Sequence, residues 1–491
     1  MGIRTREEYK ESLRRQSPKV YMEGEEVKNI VDHPGFQVAI NNTGVSYELE
    51  HDPKYRDFAT LTSPLINEEI SRWTNIQQNE QDALAMVRLM KGLGDYFCPC
   101  CYRCLTSIAL NSSWAVSYDI DQKYNTDYHQ RVVEFVKEAQ RNDWIIGAAS
   151  IDPKGDRSLK PSEQQDPDLH LHVIERKKDG IVVRGAKAHV SCGPYAHMLS
   201  VRGAGRVDES EKDYAVDFFT PVDAEGIIFI SKPAPAPLEP KDFENPISSK
   251  HGGLVESMVI FDDVFVPWEK VFLCGEYEFT PSQSLMRGAL HAMHKCMCQW
   301  ALTDIEIGAT ALIADYNGLS QAPNIRESIG EMIMGAEIMH SCAIASALEG
   351  WTHESGVYIP KAGPACTGKV FSARKLGDNR FSMQDVAGGF VATMASEKDY
   401  KDPKTRGFLE KYYKGREGVP TEFRIRAFKL IEDLVASPYA GWRQAMAISG
   451  GGDARHHKQM AMADYDLEQS IRKAMIAAGI KSDSLTGDTL E

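Results

Sequence analysis

The sequence predicts an α+β protein in three successive parts, helical, then β, then helical, and three observations carry that reading. Apolar residues recur at three- and four-residue spacing up to about Asp143, and short β-branched and aromatic runs divided by turns begin at Trp144. Long helical periodicity then returns after about Tyr277 and persists. The expected domains are an N-terminal α-helical domain at 1–143, a central β-domain at 144–276 and a C-terminal helical bundle at 277–491. A chain of 491 residues can bury several cores and needs no disulfide to fold.

In the first part, helical periodicity covers 66–97 and "DYHQRVVEFVKEAQ" at 127–140. The middle part reads as strands in "LHLHVIE", "GIVVRGAKAHV", "YAVDFFTPV", "GIIFIS" and "SMVIFDDVFV". Lys178-Asp179-Gly180 joins two of them as a hairpin, because Asp-Gly suits the positive φ angles of a tight turn. The last part predicts helices over 285–315, 325–349, 421–437 and 457–478, long enough and apolar enough on one face for an antiparallel bundle. Glycines in "QDVAGGF" and "SGGGD" mark either helix ends or places where backbone N–H groups approach a cofactor phosphate.

Composition excludes some functions. A net charge of −14 argues against general nucleic-acid binding, and the basic-rich stretch 401–416 reads as a solvated loop and helix end. A site for one small anionic ligand is still compatible with it. The opening "MGIRTREEYKESLRRQ" lacks an apolar core, and no apolar run approaches the ~20 residues of a membrane span. A soluble, cytoplasmic protein without a membrane partner is expected.

Four of the ten cysteines fall in "CPCCYRC" at 98–104. In a reducing cytosol, clustered thiols point to metal binding or redox catalysis more than to structural disulfides, although a free thiol is also a small core hydrophobe. A second stretch, "HAMHKCMC" at 291–298, lies inside a long helical pattern. On a helix His291 and Cys298 share a face to within ~20°. Cys100 and Cys104, four apart, share one as well. Two helices would then offer three thiolates and one imidazole, a set suited to structural zinc or to an iron–sulfur cluster with one unusual ligand. Cys98/Cys101, Cys101/Cys104 and His294/Cys298 are competing registers, and spacing leaves the choice open.

The chain resembles the 4-hydroxybutyryl-CoA dehydratase family, which belongs with the flavin-dependent 4-hydroxyphenylacetate 3-hydroxylases. The likeness is carried by "RTREEYKESLRR", "YDIDQKYNTDYH", "DPKGDRSLKPSEQQDPDLHLHVIERKKDGIVVRGAKAH", "VDAEGIIFI", "VIFDDVFVPWEKVF" and "ATMASEKDY". It implies a fold like that of acyl-CoA dehydrogenases, with a β-barrel-like middle domain, assembled as a homotetramer. It also implies a 4Fe-4S cluster on C-x-x-x-C and H-x-x-x-x-x-x-C, patterns that fall here on Cys100, Cys104, His291 and Cys298. FAD is expected between the β-domain and the bundle, near Ser150, Asp152, Lys154, Arg157 and Ser191. The Gly388-Gly389 turn is expected to contact it from a neighbouring subunit.

The implied reaction removes water from a hydroxyacyl substrate, 4-hydroxybutyryl-CoA or a related acyl-CoA, with vinylacetyl-CoA Δ-isomerase activity. In the family's route the C2 proton leaves first, FAD takes one electron from the enolate, and the C3 proton then becomes acidic. An iron assists the departing hydroxyl, and the electron returns from the flavin. His291 would be both cluster ligand and base, and Glu256 matches a family carboxylate near the substrate. The chain departs from the family at Lys295 and Gln299, where relatives carry Tyr and Lys, and near Met446, where they carry a glutamate. Two alternatives stand beside this reading: a flavin-dependent aromatic-ring monooxygenase using O₂, and a non-catalytic flavoprotein with zinc. Iron, sulfide and flavin assays and oxygen-sensitive activity separate the three.

Overall fold

The computed structural model describes residues 2–480 apart from Pro99, Arg206 and Pro240. The chain opens with helix α1 (Arg6–Arg14), started by a capping box in which Thr5 and Glu8 satisfy each other's backbone N–H. It then lends strands β1 (Lys19–Met22) and β2 (Glu25–Glu26) to the β-region before α2 (Pro34–His51). The first part is therefore not purely helical: Val20 and Met22 alternate into the core while Lys19 stays exposed, as a half-buried strand requires.

The helical reading of 66–97 is corrected at its start. Helix α3 spans Glu80–Asp95, because the Asn79 side chain accepts from the amides of Gln81 and Asp82 and fixes the N-terminus there. Upstream, Glu69–Ser71 pairs with Thr60–Thr62 as a short antiparallel ladder. Helices α4 (Cys104–Tyr124) and α5 (Tyr128–Asn142) complete this part.

The middle of the chain supplies β3 (Ile146–Ala149), β4 (His172–Arg176), β5 (Gly180–Ser191), β6 (Met198–Arg202), β7 (Val216–Pro221), β8 (Ile227–Lys232), β9 (Glu256–Pro267) and β10 (Val271–Cys274). They form a six-stranded sheet ordered β2-β1-β8-β9-β5-β4 and a four-stranded sheet ordered β10-β7-β6-β3. The β4–β5 hairpin turns where Asp179-Gly180 places it. The two inner faces share one core, in which Phe218 of the small sheet meets Phe261 of the large one edge-on at 6.2 Å. A bridge between Ile151 and Ala188 ties the sheets at one margin, and no ladder among the described residues closes the other. The β-region is thus two open sheets joined at one side.

The last part is built around α6 (Thr280–Tyr316), a 37-residue helix buried along most of its length. It packs among α3, α4, α7 (Pro323–Leu348) and α8 (Ala362–Ala387), which explains an apolar surface on nearly every side. Helices α9 (Thr421–Val435), α10 (Pro438–Ser449) and α11 (Ala454–Ala463) follow. The expected helix over 457–478 is broken, since Asp466 caps a new helix, α12 (Leu467–Ala478), by accepting from the Gln469 amide. Among the described residues no helix is long and apolar enough to cross a membrane.

Candidate active site

The chain between α3 and α4 carries the first thiol cluster. Phe97 and Tyr102 both adopt positive φ, at 56° and 65°, so the segment turns instead of continuing a helix. Cys100 lies in this loop and Cys104 is the first residue of α4. The expectation that both ride one helical face is corrected. The loop still delivers Cys100 to Cys298 on α6, and the two share a hydrogen bond. That bond first, then the charges of Arg443 and Lys295, lowers the Cys100 pKa to about 6, while Cys298 is raised as the partner that keeps the proton. Cys104 lies within electrostatic reach of Cys100 and Lys295, with burial pushing its own thiol up.

The remaining thiols have other occupations. Cys98 donates to Asn42 Oδ1 at 2.8 Å. Burial pushes Cys101 up to about 12. Cys296 packs against α8 at Gly368, where a Cβ would sit 2.6 Å from its sulfur. The structure therefore gathers Cys100, Cys104 and Cys298 and sets Cys98, Cys101 and Cys296 into the packing.

His291 is seven residues before Cys298 on α6, about 10 Å along the helix axis. Its Nδ1 is buried with no hydrogen-bond partner, and burial, then Lys369 and Lys295, holds its pKa well below the ordinary value. A neutral imidazole suits either metal ligation or proton acceptance. The loop after α10 lies against it: a Cβ on Gly451 would fall 2.1 Å from Cε1 and Nδ1, and the residue has φ +72°. Only glycine fits. The next carbonyl, of Gly452, accepts from Lys369 Nζ, whose pKa burial and then Lys295 bring down to about 7. Of the two glycine motifs, "SGGGD" belongs to the site. Gly388 ends α8 at φ +73° and, with Gly389, is exposed.

Among the described residues no three His, Cys, Asp or Glu side chains close on a point as one metal ion requires. Three thiols and an imidazole are donors of the kind that hold zinc or an iron–sulfur cluster, and the orphaned His291 nitrogen, like both of His294, fits a ligand role.

Glu256 opens β9 opposite Ser191, the last residue of β5. Ser191 Oγ donates to Glu256 Oε2 at 2.5 Å, and Trp442 Nε1 donates to Oε1 at 3.1 Å. Burial raises the Glu256 pKa against these two bonds, and Cys100 is among the charges it feels. Gln299, one residue past Cys298, accepts from Arg443 Nη2 at 2.7 Å, and Met446 flanks the glycine loop at Gly450. Sequence reasoning missed Trp442, Arg443 and Lys369, since only the fold joins them to the motifs.

The residues expected at the flavin divide. Ser150 Oγ accepts from Arg287 Nη1 at 3.2 Å, and Asp152 accepts from the fully buried Lys187 at 2.5 Å. Arg202, lowered to about 10 by burial and then by Arg287, keeps an unpartnered Nε nearby. These cations at the sheet–bundle junction suit a phosphate-bearing cofactor. Lys154 and Arg157 are exposed on the loop that follows β3.

Family models for the N-terminal and C-terminal parts of 4-hydroxyphenylacetate 3-hydroxylase match residues 5–273 and 283–479. The 4-hydroxybutyryl-CoA dehydratase/vinylacetyl-CoA-Δ-isomerase of Clostridium aminobutyricum is 35% identical, over 98% of this chain and 100% of its own. A solved oxygen-tolerant archaeal 4-hydroxybutyryl-CoA dehydratase from N. maritimus superposes with a TM-score of 0.93 at 33% identity, covering 100% of this chain and 97% of that one. The oxygenase component of a 4-hydroxyphenylacetate 3-monooxygenase, solved with FAD, shares the fold at a TM-score of 0.85 and 24% identity, covering 97% and 99%.

Proposed function

The chain belongs to the 4-hydroxybutyryl-CoA dehydratase family, within the 4-hydroxyphenylacetate 3-hydroxylase superfamily, and on that premise we propose that it dehydrates 4-hydroxybutyryl-CoA or a related acyl-CoA and isomerises vinylacetyl-CoA. It is an enzyme of the hydro-lyase class. The observation that carries the reading is the meeting of Cys100 with Cys298, beside Cys104 and Lys295, in a chain of this family. The oxygen-using monooxygenases stand further off in sequence.

In this reading Cys100, Cys104, His291 and Cys298 hold a 4Fe-4S cluster, and Arg287, Arg202 and Lys187, with Ser150 and Asp152, border FAD. When bound, the flavin supplies one-electron chemistry and the cluster a Lewis-acidic iron. The chain's own residues handle the protons. Glu256, its oxygens turned by Ser191 and Trp442, takes the proton at C2, and an imidazole nitrogen of His291 takes the one at C3. Lys295 sets positive charge against the thiolates and the thioester oxygen, while Gln299, fixed by Arg443, shapes the acyl pocket.

We read the chain as three domains, 1–143, 144–276 and 277–491, with β1 lent by the first to the second. Apolar side chains left on the bundle surface, Phe381 at 75% exposure and Met334 at 66%, support a homotetramer in which a second copy covers them and meets Gly388-Gly389. Unpaired buried thiols support a cytoplasmic location.

Anaerobic purification tests the reading. About four irons and one FAD per chain are expected, with crotonyl-CoA formed from 4-hydroxybutyryl-CoA. Zinc in place of iron and sulfide, or O₂-dependent hydroxylation of a phenol, would overturn it.

A further inference from the structure

We propose that Trp442 is a positioning residue for Glu256, an indole N–H delivered by the bundle to fix a carboxylate presented by the sheet. The inference rests on the role given to Glu256 above. Glu256 sits across the strand pair from Ser191, and the Ser191 hydroxyl holds one oxygen. One donor alone leaves the carboxylate free to swing about its last torsion, which is broad for Glu. The second donor comes from 186 residues further along the chain, where Trp442 Nε1 reaches the other oxygen at 3.1 Å. With both oxygens engaged, the plane of the carboxylate is set. Indole nitrogen donates only, so Trp442 orients the acceptor without competing for the substrate's proton.

The indole is itself immobilised. A Cβ on Gly253 would lie 3.0 Å from Trp442 Cε3, so the ring rests directly on the backbone three residues before Glu256, and Gly253 has φ +93°. Tyr439, one turn earlier on α10, stacks with it at 6.2 Å, and the Arg443 guanidinium lies 5.9 Å from its centroid. Arg443, the adjacent residue, turns the other way to hold Gln299 on α6. Neighbouring positions of one helix therefore fasten both walls of the site, and the loop that ends this helix packs Gly451 onto His291. A tryptophan present only to fill space has no need of its N–H at Oε1.

The experiment measures kcat, KM and flavin content with 4-hydroxybutyryl-CoA for Trp442→Phe, Glu256→Gln and the double variant. Trp442→Phe is expected to lower kcat about 10- to 100-fold, the loss of a hydrogen bond to a charged acceptor, with KM within about twofold and flavin retained. In the Glu256→Gln background the same change should cost nothing further, because the amide that replaces the carboxylate takes no proton however it is oriented. Where phenylalanine disturbs folding, replacing Trp442 by β-(3-benzothienyl)alanine keeps the ring shape and removes only the N–H, with the same kcat loss expected. Wild-type kcat in a Trp442 variant, or losses that multiply in the double variant, would overturn the inference while leaving Glu256 in place. Wild-type turnover in Glu256→Gln would instead remove the role of Glu256, and the inference with it.

Discussion

Glu256 on the sheet and a group of buried side chains in the bundle differ in how far the chain satisfies them. On the sheet side, Glu256 has both oxygens hydrogen-bonded, by Ser191 and by Trp442. On the bundle side, His291 Nδ1, both ring nitrogens of His294, Glu306 Oε1, Asn379 Oδ1 and the Tyr439 hydroxyl are buried without protein partners. Buried polar atoms in folded proteins are nearly always paired, so a cluster of exceptions marks groups whose partners come from outside the chain: metal, substrate or ordered water. Glu256 is held in one orientation by the chain itself, and His291 Nδ1 has no such partner among the described residues.

The strongest test of this contrast lies at His291. If the imidazole is both ligand and base, His291→Cys supplies a fourth thiolate able to keep the cluster but removes the base, and turnover should fall by ~10²–10⁴. Deuterium exchange at C2 of a bound substrate analogue should persist through Glu256, and exchange at C3 should stop. Retained iron together with wild-type turnover would leave His291 a ligand only.

The next test asks whether thiols already satisfied within the protein are separate from those that await a ligand. Cys98 is satisfied, by Asn42, whereas Cys100 meets Cys298 and the Tyr102 backbone and Cys298 meets Cys100. Cys98→Ala should leave iron content unchanged and destabilise the fold by about 2 kcal/mol, from the lost side-chain volume and an Asn42 oxygen left without its donor. Cys104→Ala should lose iron. Equal iron loss in both, measured on anaerobic protein, would mean the register is wrong.

Much of this was legible in the sequence where the deciding physics is local. The α, β, α order follows from periodicity, the β4–β5 turn from Asp179-Gly180, and the two-turn spacing of His291 and Cys298 from helix geometry. Local signals also explain the errors: Asn79 and Asp466 each cap a helix inside a stretch whose apolar spacing reads as continuous. Cys100 left its expected helix because Phe97 and Tyr102 take left-handed backbone, which residue type does not announce. Pairings across the chain stayed invisible. Nothing near Trp442 names Glu256 as its partner, and β1 pairs with β8, about two hundred positions away, through backbone groups that every residue carries.

The smallest effect separates two buried carboxylates. Glu306 lies on α6, two turns past Gln299, fully buried, with Oε2 accepting from Asn379 at 3.0 Å and Oε1 unpartnered. Burial raises its pKa from 4.5 to about 7, against the opposing pull of the Asn379 bond and of Arg380 and Arg443. The folded protein therefore holds this proton more tightly than the unfolded chain. Below about pH 4.5 both states are protonated, and as pH rises toward 7 only the unfolded state has released its proton, so stability falls across that window and the loss is complete above it. Glu306→Gln carries no charge at any of these pH values, and its NH₂ can donate to the orphaned Asn379 oxygen. The variant should melt like the parent at pH 5 and gain about 2 kcal/mol by pH 8, the part of the shift that titrates between those two pH values. Thermal melts of the holoprotein across this range decide it. A gain of the same size at every pH would mean that Glu306 is already ionised in the folded protein at pH 5, and that the bundle side satisfies its carboxylate as fully as the sheet side does.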